Sequence, residues 1–149
     1  AAGVGQEGAR GRLVGPEGLE AVTKDTKLVI VVRKDLQMNK GKIGAQCGHA
    51  AEYFMFERMT WKGRTASIEF SAAEIEWIRS SHAKVVLGAK DEAEFLAVVE
   101  RAHRAGVRVH TVTDAGRTKF HGVPTVTCAA FGPDYVERLD PITGHLTLL

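Results

Sequence analysis

The amino-acid sequence predicts an α/β fold, a three-layer α/β/α sandwich with a four-stranded mixed sheet whose last strand is antiparallel. Three observations lead to this prediction. Segments typical of strands and helices alternate along the chain, two of the strand-like segments are almost entirely apolar, and the last two are joined by a short connection. Alternating strands and helices are typical of parallel sheets, and unbroken apolar strands are typical of sheets covered on both faces.

Four segments are predicted to be strands. Residues 27–33 and 84–89 are nearly continuous apolar runs, residues 107–113 alternate between apolar and polar side chains, and residues 125–131 form the fourth segment. The connection over residues 114–124 is too short for a helical crossover. We therefore expect the fourth strand to run antiparallel to the third and to pair with it.

Three segments have apolar residues at helical spacing, and they are residues 42–62, 71–80 and 91–105. Ser71 is the predicted N-cap of the second helix, and Glu74 would complete a capping box with it. Gly106 follows the third helix directly and is the predicted left-handed stop. The sequence between the first two helices has the weakest pattern.

The first 26 residues are rich in Gly and carry scattered charges of both signs, so residues 1–26 are predicted to be a flexible tail. Residues 27–149 are predicted to form one folded domain. No apolar run approaches the roughly 18 residues that a membrane span requires. The sequence begins without the apolar stretch typical of a secretory signal. We therefore expect no membrane segment.

Composition argues against several other classes of protein. The formal net charge of +2 is too small to indicate nucleic-acid binding by itself, so any basic signal must come from local clusters. Two cysteines, Cys47 and Cys128, are too few for a disulfide framework or a four-cysteine zinc site, and we expect no metal. Both lie in apolar segments, where reduced, buried thiols are expected. This suits an intracellular, cytoplasmic protein, with the mitochondrion as the other compartment considered.

The most informative stretch is residues 38–51, a basic loop with glycine that opens a helix after the first strand. A strand, a basic loop and a helix N-terminus together form a natural anion-binding place. Lys42 lies in the first helical turn, where the helix dipole disfavours a cation, and this favours a functional role over a solvated lysine. Gln46 and His49 follow on the same helix face. Each also has a structural interpretation, and for His49 a supporting role is favoured.

A second loop begins at Asp114, directly after the predicted third strand. Its Asp-Ala-Gly sequence is also typical of a plain turn. Opposite Lys42, however, Asp114 becomes a candidate to orient or activate a water molecule. Thr118 and Thr127 could supply hydroxyl groups, and the alternative for both is an ordinary turn or strand threonine.

Basic residues surround this second loop. Arg117, Lys119 and His121, with Lys40 across the crevice, could form a modest phosphate-binding rim. The alternative is a solvated basic loop, which the low net charge leaves open.

Four segments together identify a family. They are KLVIVVRKDLQMNKGKIGAQCGHAA at 27–51, DAGRT at 114–118, FGP at 131–133 and DPITGHLTLL at 140–149. In this order and spacing they resemble the type 2 peptidyl-tRNA hydrolases of archaea and eukaryotes, over residues 27–149. After DAGRT the chain departs from the common pattern, because residues 119–124 are one residue longer.

The resemblance implies an α/β/α sandwich and hydrolysis of the ester between a peptide and the 3′-terminal ribose of tRNA, without metal or cofactor. It assigns catalytic roles to Lys42, Asp114, Thr118 and Thr127. The predicted mechanism is direct attack by water, with Asp114 positioning the water and Lys42 stabilising the oxyanion or holding a phosphate. Lys40, Arg117, Lys119 and His121 would bind tRNA, and Gln46 and His49 would support the site.

Two alternatives of other classes stay open from the sequence. The fold could serve as a non-catalytic interaction module, since some eukaryotic relatives are linked to cell-death signalling through a protein partner. It could also be a general RNA-binding domain, which is less favoured because no exposed aromatic platform for stacking single strands is expected. A homodimer is a further expectation that the sequence does not decide.

Overall fold

The computed structural model describes residues 24–117 and 119–149. Most of the predicted N-terminal tail, residues 1–23, therefore lies outside the described residues, as does Thr118. In chain order the elements are β1 (Thr26–Arg33), a 3-10 turn (Lys34–Leu36), α1 (Lys40–Phe56), β2 (Thr60–Lys62), β3 (Thr65–Ser67), α2 (Ala72–Arg79), β4 (Lys84–Ala89), α3 (Glu92–Arg104), β5 (Val109–Asp114), β6 (Thr125–Tyr135), α4 (Val136–Thr143) and β7 (Thr147–Leu148).

The main sheet has the strand order β5-β6-β1-β4-β7. β1 and β4 are parallel, and β6 runs antiparallel to both β1 and β5. The predicted α/β fold with a mixed sheet is confirmed, and so is the antiparallel pairing of the third and fourth predicted strands. The predicted count of four strands was one short, because β7 adds a fifth. β7 has only two residues, both exposed, and so carries no apolar alternation that a sequence pattern could reveal.

Helices cover both faces of the sheet, as the apolar sequence of β1 indicates. On one face, α1 and α2 pack through a cluster that includes Leu28, Ile30, Val32, Phe54 and Trp77. On the other face, α3 and α4 pack through a cluster that includes Val29, Val31, Phe95, Val98 and Leu139. Alternate residues of β1 therefore enter two cores, which makes β1 the central strand of a three-layer sandwich. Within the described ranges, no helix is long and apolar enough to cross a membrane.

α1 differs from its prediction at both ends. It begins at Lys40, two residues early, because Asn39 is the N-cap and its Oδ1 accepts a hydrogen bond of 2.9 Å from Lys42 N. It ends at Phe56, six residues before the predicted end. The following residues form a two-stranded hairpin, β2–β3, whose turn contains Gly63 with φ +60°. Thr and Trp in β2 favour strands, and the sequence pattern did not separate them from the helix.

α4 was not among the predicted helices. It contains Pro141 in its interior, a residue that removes a helical hydrogen bond and normally argues against a helix. Apolar contacts stabilise it, since Leu139 and Ile142 are buried under the sheet. The Gly106 stop after α3 is confirmed, with φ +69°.

Only half of the predicted capping box at α2 forms. Ser71 Oγ accepts a hydrogen bond of 3.2 Å from Glu74 N, as predicted. The Glu74 carboxylate is buried and pairs instead with Arg58, at 2.6 Å, and more distantly with Arg108, at 3.7 Å. Arg58 also donates to the carbonyl oxygens of Phe54 and Glu69. One guanidinium therefore joins the end of α1, the segment after β3 and the start of α2.

Replacing Arg58 by Ala is expected to lower the free energy of unfolding by about 3 kcal/mol, because the buried Glu74 carboxylate would lose its closest partner. Urea denaturation would show this as a lower midpoint at unchanged slope. Arg104→Ala is the control, since Arg104 is 77% exposed and pairs with Glu100 at the surface, so its midpoint should match the wild type. An Arg58→Ala protein as stable as the wild type would contradict this role of the pair.

Candidate active site

The candidate site lies at the edge of the sheet where β1 and β5 end and α1 begins. Asp114 is the last residue of β5, and Lys42 is the third residue of α1. Ligands of open α/β folds bind at this edge, beyond the carboxyl ends of the parallel strands. Two segments far apart in sequence thus bring a carboxylate and an ammonium group to one place.

The carboxylate of Asp114 accepts hydrogen bonds from three described groups. Lys42 Nζ lies 2.6 Å from Oδ2, Gln46 Nε2 lies 3.2 Å from the same oxygen, and Gly116 N lies 2.7 Å from Oδ1. The Asp114 and Lys42 side chains are only 13% and 17% exposed. The hydrogen bond from Lys42 is the largest of the effects that lower the pKa of the Asp114 carboxyl, followed by that from Gly116. The group is therefore ionised at neutral pH.

Lys42 is placed against the helix dipole, as the sequence indicates. The structure offsets this unfavourable position with the Asp114 carboxylate, which also faces the start of α1. The ring of Phe120 also lies near the ammonium group, with its centroid 5.6 Å from Lys42 Nζ. The ammonium group thus contacts a carboxylate and an aromatic ring, and it is partly shielded from solvent.

Gln46 connects the carboxylate to the interior. Its Oε1 accepts a hydrogen bond of 2.6 Å from Thr127 Oγ1, while its amide nitrogen donates to Asp114. Thr127 is fully buried, and Gln46 is 5% exposed. Thr127 therefore lies behind Gln46 and fixes the orientation of its amide, at a distance from solvent.

The loop after β5 closes on itself. Gly122 N donates to Gly116 O at 2.9 Å, and Gly116 adopts φ +79°. A Cβ atom at Gly116 would lie 2.4 Å from Val123 O, so only glycine fits this position. Residues 119–124, which depart from the family pattern, thus form a compact turn over the site.

The predicted rim residues Lys40, Arg117, Lys119 and His121 are all exposed. Lys119 Nζ donates to the carbonyl oxygen of Gln37, which links the loop after β5 to the loop after β1. This places cations on both sides of the crevice. No cluster of three or more His, Cys, Asp or Glu side chains that could hold a metal occurs in the part of the chain that the structure describes.

His49 is not joined to this network by the described contacts. His49 is exposed, about 10 Å along α1 from Lys42, and its ring stacks on Tyr53 with centroids 6.4 Å apart. Thr118 lies outside the described residues. The cysteines are free, and burial raises the pKa of Cys128 to about 12, so this thiol is unreactive.

Sequence reasoning missed three groups at the site: the Gly116 amide, Phe120 and Arg33. The Asp-Ala-Gly turn could have indicated the first, since Asp commonly accepts from the backbone two residues on. Arg33 is buried at the end of β1, pairs with Asp35 at 2.7 Å and donates to the carbonyl oxygen of Val126 at 3.2 Å. Its position directly after the apolar residues of β1 was the sequence signal for a buried cation. Arg33 thereby supports the segment that carries Thr127.

Known proteins are similar to this chain over most of its length. A family model described as peptidyl-tRNA hydrolase PTH2 matches residues 26–149. A peptidyl-tRNA hydrolase of Methanopyrus kandleri is 40% identical over 124 residues, which are 83% of this chain and 97% of that protein.

Two animal proteins are also similar. A probable peptidyl-tRNA hydrolase 2 of Drosophila melanogaster is 35% identical, and the aligned region covers 91% of this chain and 68% of that protein. A mitochondrial peptidyl-tRNA hydrolase 2 of Mus musculus is 37% identical, and the aligned region covers 82% of this chain and 62% of that protein. The match of the family model and the identity to the archaeal relative establish that the chain belongs to the type 2 peptidyl-tRNA hydrolase family.

Proposed function

We propose that this protein hydrolyses the ester bond between a peptide and the 3′-terminal ribose of tRNA, releasing the peptide and free tRNA. The reaction is metal-independent attack by water. One observation carries the proposal: Lys42 Nζ lies 2.6 Å from Asp114 Oδ2 at the edge of the sheet where ligands of such folds bind. Membership of the family supports the same activity.

Asp114 orients the attacking water in this proposal. A carboxylate can accept about four hydrogen bonds, and the three described donors leave one acceptor position, on Oδ1. A water bound to Oδ1 would lie next to Gly116, whose amide donates to the same oxygen. Because its pKa is lowered, Asp114 is a weak base. Asp114 therefore mainly orients the water and stabilises the positive charge that develops on it, and the proton that the water loses ends on the ribose oxygen as the ester bond breaks and the tRNA leaves.

Lys42 stabilises the negative charge that develops on the ester oxygen. Attack of water converts the carbonyl into a tetrahedral oxyanion, and a fixed cation in a partly dry site stabilises that charge strongly. The dipole of α1 adds to the same effect. Holding a terminal phosphate is the other role considered for Lys42, and kinetics separate the two.

Gln46 and Thr127 act through Asp114 rather than on the substrate. The buried Thr127 hydroxyl holds the Gln46 amide, and that amide holds the carboxylate. A contact of Thr118 with the water or the ribose stays a prediction, and so does the supporting role of His49. A threonine nucleophile is not favoured, because Thr127 is buried and bonded to an amide rather than to a base.

Binding of tRNA by the rim completes the proposal. Lys40, Arg117, Lys119 and His121 would contact the phosphate backbone, which carries no sequence information and suits an enzyme that accepts many tRNAs. Homodimerisation, a protein partner in cell-death signalling, and a cytoplasmic or mitochondrial location stay predictions. A non-catalytic module is the alternative, and the presence of both Lys42 and Asp114 in contact argues against it.

Hydrolysis of an N-blocked aminoacyl-tRNA tests the site directly. Asp114→Ala is expected to lower kcat/KM by about 10²–10⁴-fold, and Lys42→Ala by about 10²–10³-fold. Arg104→Ala, on the far side of the sheet, should match the wild type. Unchanged kcat/KM in both site variants would contradict the mechanism, whereas a rise in KM alone for Lys42→Ala would assign Lys42 to binding.

The titration of Asp114 tests its electrostatic environment. A carboxyl whose pKa is lowered on folding stabilises the protein above its unfolded pKa of about 3.9, and this stability is lost as pH falls through the folded pKa. Lys42→Met removes the largest cause of the lowering. The ¹³C carboxyl titration of Asp114 should therefore move to higher pH in this variant. An unmoved titration would exclude Lys42 as the cause.

Salt dependence tests the rim. The Kd for uncharged tRNA should rise with salt, and Lys40→Ala combined with Arg117→Ala should reduce the slope of log Kd against log salt by about 1–2. Fluorescence anisotropy from about 50 to 200 mM salt measures this. Equal slopes for the double variant and the wild type would remove these two residues from the RNA contact.

A further inference from the structure

We propose that the hairpin of residues 60–67 is a second contact for the same tRNA, on the double-stranded part of its acceptor arm. The inference rests on the proposed function, because it concerns the same substrate. It concerns a different surface, however, at the opposite end of α1 from Lys42 and Asp114.

The distance between the two surfaces suits one RNA molecule. α1 begins at the candidate site and has 17 residues, so it extends for about 25 Å. The hairpin begins four residues after its end. The acceptor stem of a tRNA is an A-form double helix that begins close to the 3′ end. A tRNA whose 3′ end lies at Asp114 can therefore reach the hairpin with its stem.

The hairpin presents an uncovered aromatic ring. Trp61 is 65% exposed, and its cross-strand neighbour Ala66 is too small to cover the indole. The sequence predicted no exposed aromatic platform for stacking single strands, and Trp61 is a single exposed ring. A large apolar side chain held in solvent gains stability when a partner covers it.

Charge indicates which partner that is. Residues 58–67 carry three cations, Arg58, Lys62 and Arg64, and no carboxylate, whereas the whole chain balances 20 Lys and Arg with 18 Asp and Glu. Lys62 and Arg64 are exposed at the turn, and Lys62 follows Trp61 directly in β2, so these two side chains lie on opposite faces of the hairpin. A hairpin tip with an aromatic ring on one face and a cation on the other fits between the two phosphate backbones of a double helix.

The base of the hairpin is anchored to the fold. Arg58 pairs with the buried Glu74 and donates to Glu69 O, so both ends of the hairpin segment are tied to the start of α2. Arg58 is therefore a structural residue, and the outward cations are Lys62 and Arg64. An anchored base reduces the conformational freedom that the hairpin loses when RNA binds.

The contact would not read sequence. The minor groove of double-stranded RNA is wide and shallow and displays 2′-hydroxyl groups. The indole N–H of Trp61 can donate to such a hydroxyl, and Lys62 and Arg64 can pair with neighbouring phosphates. This gives affinity for any tRNA stem.

The experiment compares a long and a short substrate. Trp61→Ala and the double variant Lys62→Ala/Arg64→Ala are assayed on an N-blocked aminoacyl-tRNA and on its 3′-terminal trinucleotide carrying the same ester. We expect KM for the full tRNA to rise about fivefold to tenfold at unchanged kcat, and no change for the trinucleotide, which cannot reach the hairpin. Arg104→Ala is the control for loss of one exposed cation.

Binding of uncharged tRNA separates this inference from the proposed function. The hairpin variants should raise its Kd, and the double variant should lower the salt slope by about 1.5–2. If the wild type hydrolyses neither substrate, the proposed function fails, and the tRNA Kd still tests the hairpin. An unchanged Kd, or an equal loss on the trinucleotide, would overturn the second contact.

Discussion

The position of α1 on the sheet depends on one buried amide, that of Gln46. A buried amide must satisfy both its oxygen and its nitrogen, because an unpaired polar atom in the interior is costly. Gln46 does so by accepting from Thr127 on β6 and donating to Asp114 at the end of β5. A helix shifted by one residue would lose both partners. In the register that keeps them, Lys42 lies one turn earlier and reaches the same carboxylate.

Two opposing effects meet at the start of α1. A lysine in the first turn is disfavoured by about 0.3–1 kcal/mol, whereas a charge-assisted hydrogen bond contributes about 1.5–3 kcal/mol. The contact with Asp114 therefore outweighs the dipole, and the carboxylate itself is favoured there. The arrangement that stabilises the helix start is the same one that keeps the carboxylate ionised. The Lys42–Asp114 pair thus both stabilises the start of α1 and keeps Asp114 ionised.

The sequence predicted the framework better than the details of its ends. β1 was predicted to within one residue, because a strand covered on both faces is apolar throughout. The βα topology also predicted that Asp114 would face Lys42. α1 was extended six residues too far, since Thr60 and Trp61 follow it without a Gly or Pro stop, and α4 was missed because of Pro141.

The sequence predicted a supporting role for Gln46 but not the two hydrogen bonds through which it acts. Its partners come from two strands that are distant in sequence, so the hydrogen bonds depend on how the helix rotates over the sheet. A single sequence carries no direct signal of that rotation. The burial of Thr127 follows from the same packing, since β6 is an inner strand of the sheet.

The closed loop after β5 has a consequence for proton affinity. Gly116 supplies both the tight fit against Val123 and the backbone hydrogen that Asp114 Oδ1 accepts. A change in the conformation of the loop at Gly116 therefore also changes the basicity of the Asp114 carboxylate. A ligand that displaced the loop would break the hydrogen bond from Gly116 N to Asp114, and the carboxylate would become a stronger base. The conformation of the loop therefore sets the basicity of Asp114 through this one hydrogen bond.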